Sequence, residues 1–439
     1  MSGHHRGDRE PTIFALSSGP PPCAIAVIRM SGPDAFACAE RLTGMALPPP
    51  RQAALRRFRD PADGALVDEG LLLRMDAETS ITGEPLVELH CHGSRAIVRD
   101  LQDILGRFEG LRPAGAGEFT RRAFLNGRMD LAAVEGLGDL LAAETTHQRQ
   151  AALAMMGGQL GREIDRWAQA LLRLSAMVEA RLDFSDEGDV ESADTYDAAA
   201  DCAGLAAEMR AALDRPLADR LREGVRVAIG GPPNVGKSTL FNALIGRDAA
   251  IVSPQPGTTR DVIEATISLG GVAFLLSDSA GLRETGDAVE SIGVARAETL
   301  LQGADIILWA GASDARPDVD GHVIQLRTRA DLSEDAGSGC DDGLAVSAVT
   351  GEGLGTLVST LCAAASDILP RPGDYALSRR QHECLARAHD ALVDAAGQED
   401  DVLLAEALRQ ALAALDELTG RATTEAVLGE IFSGFCIGK

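Results

Sequence analysis

The stretch Val225-Arg-Val-Ala-Ile229-Gly-Gly231-Pro-Pro-Asn234-Val-Gly236-Lys237-Ser238 joins a short apolar run to an apolar helix-forming segment through a glycine-rich turn. From Gly231 to Ser238 it satisfies G-x-x-x-x-G-K-[ST], and the flanking strand and helix stand where that pattern requires them. In such a turn the glycines let backbone N–H groups curl around phosphate oxygens, and the following helix adds its positive N-terminus. Lys237 then supplies an ammonium for the terminal phosphates and Ser238 a hydroxyl for Mg²⁺. A plain glycine-rich turn is the competing reading, and the correct flanks count against it. Asn234, Val235, Gly236, Lys237, Ser238 and Thr239 are therefore expected at a nucleotide.

Working outward, Ser253-Pro254-Gln255-Pro256-Gly257-Thr258-Thr259-Arg260-Asp261 precedes, and Asp278-Ser279-Ala280-Gly281 follows, the strand expected at Val272–Leu276. This is the order of a GTPase: Thr259 offers a hydroxyl to Mg²⁺ when a γ-phosphate is present, Asp278 holds the same metal through water, and Gly281 approaches the γ-phosphate. Base choice rests on Thr328-Arg329-Ala330-Asp331 and Ser347-Ala348. A carboxylate at Asp331 accepts from guanine N1–H and N2–H₂, donors that adenine lacks, which favours GTP over ATP. The usual GTPase spelling is Asn-Lys-x-Asp; with Thr328 and Arg329 in the first two places, looser guanine affinity is expected. Leu282 follows Gly281 where Ras-like proteins keep a water-orienting Gln. Glu290, at the start of a helix-like stretch behind the Arg283–Ala288 segment, is the carboxylate taken for that role, while a helix N-terminal acid favoured by the dipole explains it equally well. The Asn234 side chain offers an oxygen for a monovalent cation beside the phosphates, doing the work of an arginine finger.

The whole chain has 439 residues, which at about 150 per domain suggests roughly three domains. Hydrophobic residues at 45% and charged residues at 24% exclude disorder as the main state. A net charge of −25 repels polyanions, so any nucleic-acid contact must be local. The cysteines at 23, 38, 91, 202, 340, 362, 384 and 436 form no CxxC pair, against zinc ribbons and redox motifs. A polar Met1–Pro11 and the lack of any apolar run of ~18 residues point to a soluble cytoplasmic protein without a membrane partner.

Residues 12 to about 120 mix β-type runs (Ala24–Arg29, Gly70–Met75, Leu86–His90) with short helices, an α+β texture. Leu160, Ile164, Trp167, Leu171, Leu174, Val178 and Leu182 step by three or four and predict a long amphipathic helix. Ser185–Asp201 is acidic and reads as a solvated connector rather than a metal site. A second helical stretch is expected at about 197–222. Strands at Val225–Ile229, Val272–Leu276, Ile306–Trp309, Val323–Leu326 and Leu344–Val346 alternate with helices, the order of a parallel α/β sheet. After Pro370 and Pro372, Leu385, Leu392, Leu404, Leu408, Leu412, Leu415 and Leu418 restore the helical period, so the α/β segment looks inserted into a helical one. His90 and His92 share a strand face without a third ligand nearby, which favours structural roles over a metal. Arg51, Arg56, Arg57 and Arg59 form a basic cluster that a solvated helix face would also explain.

With these residues in hand, the chain resembles the MnmE (TrmE) family of tRNA modification GTPases. The likeness rests on Thr12-Ile-Phe-Ala-Leu, Ile28-Arg29-Met-Ser-Gly32, Val87-Glu88-Leu-His-Cys-His-Gly93, Gly117-Glu-Phe-Thr-Arg-Arg-Ala-Phe-Leu-Asn-Gly-Arg128-Met-Asp-Leu131 and Phe435-Cys436-Ile-Gly-Lys439. Ser18-Gly-Pro-Pro-Pro-Cys23 departs from the glycine-rich run of many relatives, and its prolines stiffen the loop. The resemblance implies a multidomain α/β protein: 1–122 an α+β tetrahydrofolate-binding and dimerisation domain, 123–222 the first part of a helical-bundle domain, 223–370 an inserted Ras-like G domain, and 371–439 the second helical part. It implies a homodimer that joins the flavoprotein MnmG in a heterotetramer, acting on the wobble uridine of tRNA with a one-carbon unit of 5-formyl- or methylenetetrahydrofolate. It puts K⁺ at Asn234, Ser253, Gln255 and Thr258, Mg²⁺ at Ser238 and Thr259, the attacking water at Glu290, and folate at Arg29, Glu88, Arg128 and Lys439. Cys436 would serve the modification chemistry, although a lone cysteine is more often a small apolar residue. The G domain alone would equally suit a ribosome-assembly or regulatory GTPase switch, which predicts no folate binding in residues 1–125.

Overall fold

Alternation of apolar and polar residues builds the first sheet, and Leu86-Val-Glu-Leu-His-Cys-His92 shows it: Val87, Leu89 and Cys91 are buried while Glu88, His90 and His92 turn to the other face. The computed structural model describes residues 10–183, 197–246, 263–278, 298–312, 319, 321–332, 343–422 and 424–438. Their packing resolves two units, Met1–Gly138 with Thr419–Lys439, and Asp139–Leu418.

In the first unit, β1 (Thr12–Leu16), β2 (Ile25–Ser31), α1 (Ala35–Thr43), β3 (Ala54–Arg59), β4 (Leu66–Met75), β5 (Leu86–His92), α2 (Arg95–Gly106) and β6 (Leu111–Pro113) form an α+β domain. The sheet order is β3-β4-β5-β2-β1-β6, antiparallel except where β1 meets β6. Phe14, Ile28, Met30, Phe58, Leu72 and Leu101 are at most 2% exposed and fill one face. Each contributes roughly 1.5–3 kcal/mol by leaving water. The basic cluster is no helix face. Arg56, Arg57 and Arg59 lie on strand β3, with Arg51 in the turn before it. Ala-Leu-Arg-Arg-Phe-Arg sets Ala54 four and Leu55 three residues before Phe58, a spacing that a helix also uses, and what decides for a strand is pairing with β4, which leaves Leu55 61% and Phe58 0% exposed.

Two helices, α3 (Glu118–Leu125) and α4 (Leu131–Ala142), follow. The last helix of the chain, Glu425–Ser433, returns to this unit, where its Leu428 and Phe432 pack on Leu131 and Val134. Beyond it Ala116 and Ile437 form a β-bridge, and a Cβ on Gly438 would stand 2.2 Å from the Leu16 carbonyl oxygen. Only glycine lets the tail lie this close to β1.

In the second unit, α5 (Thr146–Met156) opens with a capping box between Thr145 and Gln148. The predicted long helix is α6 (Gln159–Asp183), with Leu160, Ile164, Trp167, Leu171, Leu174 and Val178 buried. The stretch expected as one helix over about 197–222 is two, α7 (Ala198–Leu213) and α8 (Ala218–Glu223). Pro216 separates them, because it lacks an N–H and disfavours helical backbone in the residue before it.

The second sheet comprises β7 (Val225–Gly230), β8 (Ile263–Leu269), β9 (Val272–Asp278), β10 (Ile306–Trp309), β11 (His322–Thr328) and β12 (Leu344–Val346), in the order β12-β11-β10-β7-β9-β8. It is mixed rather than parallel throughout, since β8 runs antiparallel to β9. The Gly270-Gly271 turn joining them has φ of 58° and 82°, the doubly left-handed turn that closes a two-residue hairpin. Helix α9 (Lys237–Ile245) follows β7. Helices α10 (Leu354–Ile368), α11 (Arg379–Ala396) and α12 (Asp401–Thr419) come after the sheet, with Leu385, Leu392, Leu404, Leu408, Leu415 and Leu418 buried.

Candidate nucleotide-binding site

The chain leaves β7 toward β9 on one side and β10 on the other, so the turn after β7 opens where the strand order reverses, the place where open α/β sheets bind ligands. Three residues there take left-handed backbone: Gly231 (φ 139°), Asn234 (60°) and Gly236 (102°). A Cβ at Gly231 would lie 2.9 Å from the Ala310 carbonyl carbon and oxygen, so glycine is required for the chain to pass. Asn tolerates this conformation better than most side chains. The loop thus curls, and α9 begins at Lys237 with Gly236 as its N-cap and no side chain across the free N–H groups.

Lys237 is 7% exposed, and its Nζ donates to the carbonyls of Gly231 at 2.9 Å and Pro232 at 2.8 Å. Those bonds hold an ammonium over the loop. The β7–β9 register sets Ile229 beside Asp278, and Ser238 Oγ donates to Asp278 Oδ2 at 2.6 Å. Asp278 is 1% exposed. A hydroxyl and a buried carboxylate are hard oxygen donors, which fits Mg²⁺ held by Ser238 with Asp278 behind it.

At the end of β11, Thr328 Oγ1 donates to the Val235 carbonyl at 2.6 Å. Arg329 (φ 59°) donates from Nη2 to the Asn234 carbonyl. Both residues therefore hold the phosphate loop, as a hydroxyl and a guanidinium can where an amide and an ammonium are usual. Ser347, 0% exposed, donates from Oγ to Asp331 Oδ1 at 2.6 Å and accepts from the Thr350 N–H at 3.1 Å. This fixes the Asp331 carboxylate at the edge of a cavity of about 290 Å³ lined by Gly236, Thr239, Leu240, Arg329, Asp331 and Ala348 among others. Leu332 (46% exposed) and Val349 (78%) also border it. Sequence reading passes these two over, because they stand in loops without periodicity, and only their exposure beside the cavity marks them. Thr328→Val keeps the shape but leaves the Val235 carbonyl unpaired, a cost of about 1–3 kcal/mol. Titration should show GTP binding weakened by roughly 5- to 150-fold; unchanged affinity would mean the tie does not order the loop.

Ser253, Pro254, Gln255, Pro256, Gly257, Thr258, Thr259, Ser279, Ala280, Gly281, Glu290 and Lys439 lie outside the described residues.

The remaining candidates belong to the first unit. Arg29 and Glu88 are cross-strand partners on β2 and β5, and the guanidinium donates to Glu88 Oε1 from Nε at 3.0 Å and from Nη2 at 2.8 Å. His90 Nε2 is 3.2 Å from Glu88 Oε2. His92 meets Asp68 Oδ1 through Nδ1 at 2.8 Å, and no cluster of three metal-ligating side chains occurs among the described residues. Arg128 is exposed in the turn after α3. Cys436 is exposed and accepts from the Gly117 N–H at its carbonyl, 3.5 Å away. Burial, by contrast, pushes the Cys38 thiol up to about 12 and those of Cys91 and Cys202 up to about 11, which keeps them protonated and unreactive. No helix among the described residues is long and apolar enough to cross a membrane.

Two family models match the chain: "MnmE helical domain" over residues 131–436 and "GTP-binding protein TrmE N-terminus" over residues 12–128. A tRNA modification GTPase MnmE from Erythrobacter litoralis is 50% identical over 430 residues, covering 98% of this chain and 100% of the relative. Those from Novosphingobium aromaticivorans and Zymomonas mobilis are each 48% identical, over 98% of this chain and 99% and 100% of theirs.

Proposed function

Because this chain belongs to the MnmE family of tRNA modification GTPases, we propose that it is a K⁺-stimulated GTP hydrolase that works with the flavoprotein MnmG. In this reading the pair adds an aminomethyl or carboxymethylaminomethyl group at C5 of the tRNA wobble uridine, using a folate one-carbon unit. As a member of this family the protein is a tRNA-modifying GTPase that depends on GTP and Mg²⁺.

The observation that carries the reading is the coincidence of a lysine-bearing phosphate loop with a fixed carboxylate at the neighbouring cavity, Lys237 and Asp331. Lys237 binds the terminal phosphates, Asp331 selects guanine, and Ser238 with Thr259 holds Mg²⁺. Asn234, Ser253, Gln255 and Thr258 hold K⁺, and Glu290 orients the attacking water. When bound, the two cations neutralise charge that develops on the transferring phosphoryl group. Arg29, Glu88, Arg128 and Lys439 bind folate, with the Arg29–Glu88 pair opening to do so, and Cys436 serves the modification chemistry. The reading also takes a cytoplasmic homodimer, a heterotetramer with MnmG, and the four-part division at 122, 222 and 370.

GTP hydrolysis measured in matched K⁺ and Na⁺ salts tests the cation. We expect K⁺ to raise kcat at least about tenfold, equivalent to about 1.4 kcal/mol of the barrier. Equal rates would reject the cation site.

A further inference from the structure

A protein of net charge −25 that handles tRNA must meet its polyanion through a local positive surface. Residues 51–59, Arg-Gln-Ala-Ala-Leu-Arg-Arg-Phe-Arg, hold four arginines and no acid. They occupy β3, the outermost strand of the first sheet, and the turn before it. Its charge is largely uncompensated among the described residues, as is that of the scattered Arg41, Arg95 and Arg128, and what marks this edge is that three such arginines stand within nine residues of chain. Arg29, Arg74, Arg107, Arg112 and Arg122 each face a carboxylate at 2.5–3.0 Å. On β3, among the described residues, only Arg57 does, through Glu69 at 2.6 Å. Arg56 donates to the carbonyls of Leu55 (2.9 Å) and Ala46 (3.5 Å), and Arg59 to the carbonyl of Gly64 (3.0 Å). Carbonyl partners aim a guanidinium and leave its charge whole.

Three further features suit a fixed docking edge. Phe58, 0% exposed, anchors the strand on the face that Arg56 shares, while Arg59 lies on the other face, so the arginines flank the free edge from both sides. A register shift between Phe58 and Arg59 skips Val67 on β4, a local irregularity of the kind that twists a sheet edge. Arg51 is exposed in left-handed backbone (φ 61°), with its N–H tied to the Arg74 carbonyl at 2.8 Å, so the turn holds it beside the strand. Charges on an edge strand also discourage edge-to-edge association, but that role does not call for Arg51, which is off the strand. Planar guanidiniums match phosphate oxygens two bonds at a time.

We propose that Arg51, Arg56 and Arg59, at the β3 edge, bind the phosphate backbone of the tRNA substrate. This rests on the tRNA-modification reading and supplies a surface for it.

The test compares the full-length protein with R51Q/R56Q/R59Q and R51K/R56K/R59K, alone and with the flavoprotein partner. Binding of an unmodified tRNA transcript is measured across a KCl series. With about 0.7–0.9 in log–log salt slope per phosphate contact, the glutamine variant should lose about 2–3 in slope. At ~0.1 M salt it should bind at least about tenfold more weakly. The lysine variant should keep most of the slope, and GTP turnover without tRNA should be unchanged in both. An unaltered slope and affinity in the glutamine variant would overturn the proposal. So would intact tRNA binding with loss of flavoprotein capture, or with aggregation on gel filtration, which would make the edge a protein contact or an association guard. Should the unsubstituted protein bind no tRNA even with the flavoprotein, the reading beneath the proposal falls too; that failure appears in the parent protein, not in the variants.

Discussion

Lys237→Ala is expected to lower kcat for GTP hydrolysis by about 10²–10³-fold, the usual cost of removing one preorganised group from a developing charge. Lys237 is 7% exposed, and its ammonium is already positioned by the Gly231 and Pro232 carbonyls at 2.9 and 2.8 Å. In the proposed site it therefore meets the phosphates without reorganising, in a setting where water screens it poorly. Alanine removes that charge and unpairs two carbonyls, so loop disorder must be separated from lost electrostatics. A thermal midpoint close to that of the parent, together with a collapsed single-turnover rate, would assign the loss to charge. A fall smaller than about fivefold would show that Lys237 only braces the loop.

Asp331→Asn should change which base is accepted. The carboxylate is fixed by Ser347 Oγ at 2.6 Å, and in the proposed site it accepts from guanine N1–H and N2–H₂; an amide there turns one acceptor into a donor facing a donor. Sites built on such bonds discriminate by about 10⁴–10⁵ when the partner is mismatched. GTP affinity should therefore fall by at least about a hundredfold, while xanthosine triphosphate, with a carbonyl at C2, should gain. Competition binding with both nucleotides reads this directly. Parallel losses for the two would mean that Asp331 acts by holding the loop after β11, not by reading the base.

What the sequence could carry follows from how local each signal is. Gly231–Ser238 announces itself because its glycines, lysine and hydroxyl act within eight residues of chain, and Leu160 to Val178 announces α6 because its period is that of the helix. The Arg51–Arg59 cluster is open to a helical reading because Ala54 and Leu55 stand four and three residues before Phe58; pairing of β3 with β4 decides it. Strand β8 follows the Ser253–Asp261 stretch in sequence without a break in composition, and its antiparallel course depends on the Gly270-Gly271 turn. Pro216 could have divided α7 from α8 in advance. Within the site, Thr328 and Arg329 are departures from the familiar spelling, and the three-dimensional contacts to Val235 and Asn234 give them a purpose that spacing alone could not. Arg29 and Glu88 are 59 residues apart in sequence, so only strand register reveals that they pair.

The central claim, that GTP hydrolysis in the Lys237 cradle drives tRNA modification, is tested most directly by reconstitution. The full-length protein and its flavoprotein partner are mixed with unmodified tRNA, a one-carbon folate, K⁺ and Mg²⁺, and the tRNA nucleosides are quantified after digestion. Modified wobble uridine should accumulate with GTP and fall to background with a non-hydrolysable GTP analogue or with Lys237→Ala. Equal accumulation under all three conditions would contradict the account.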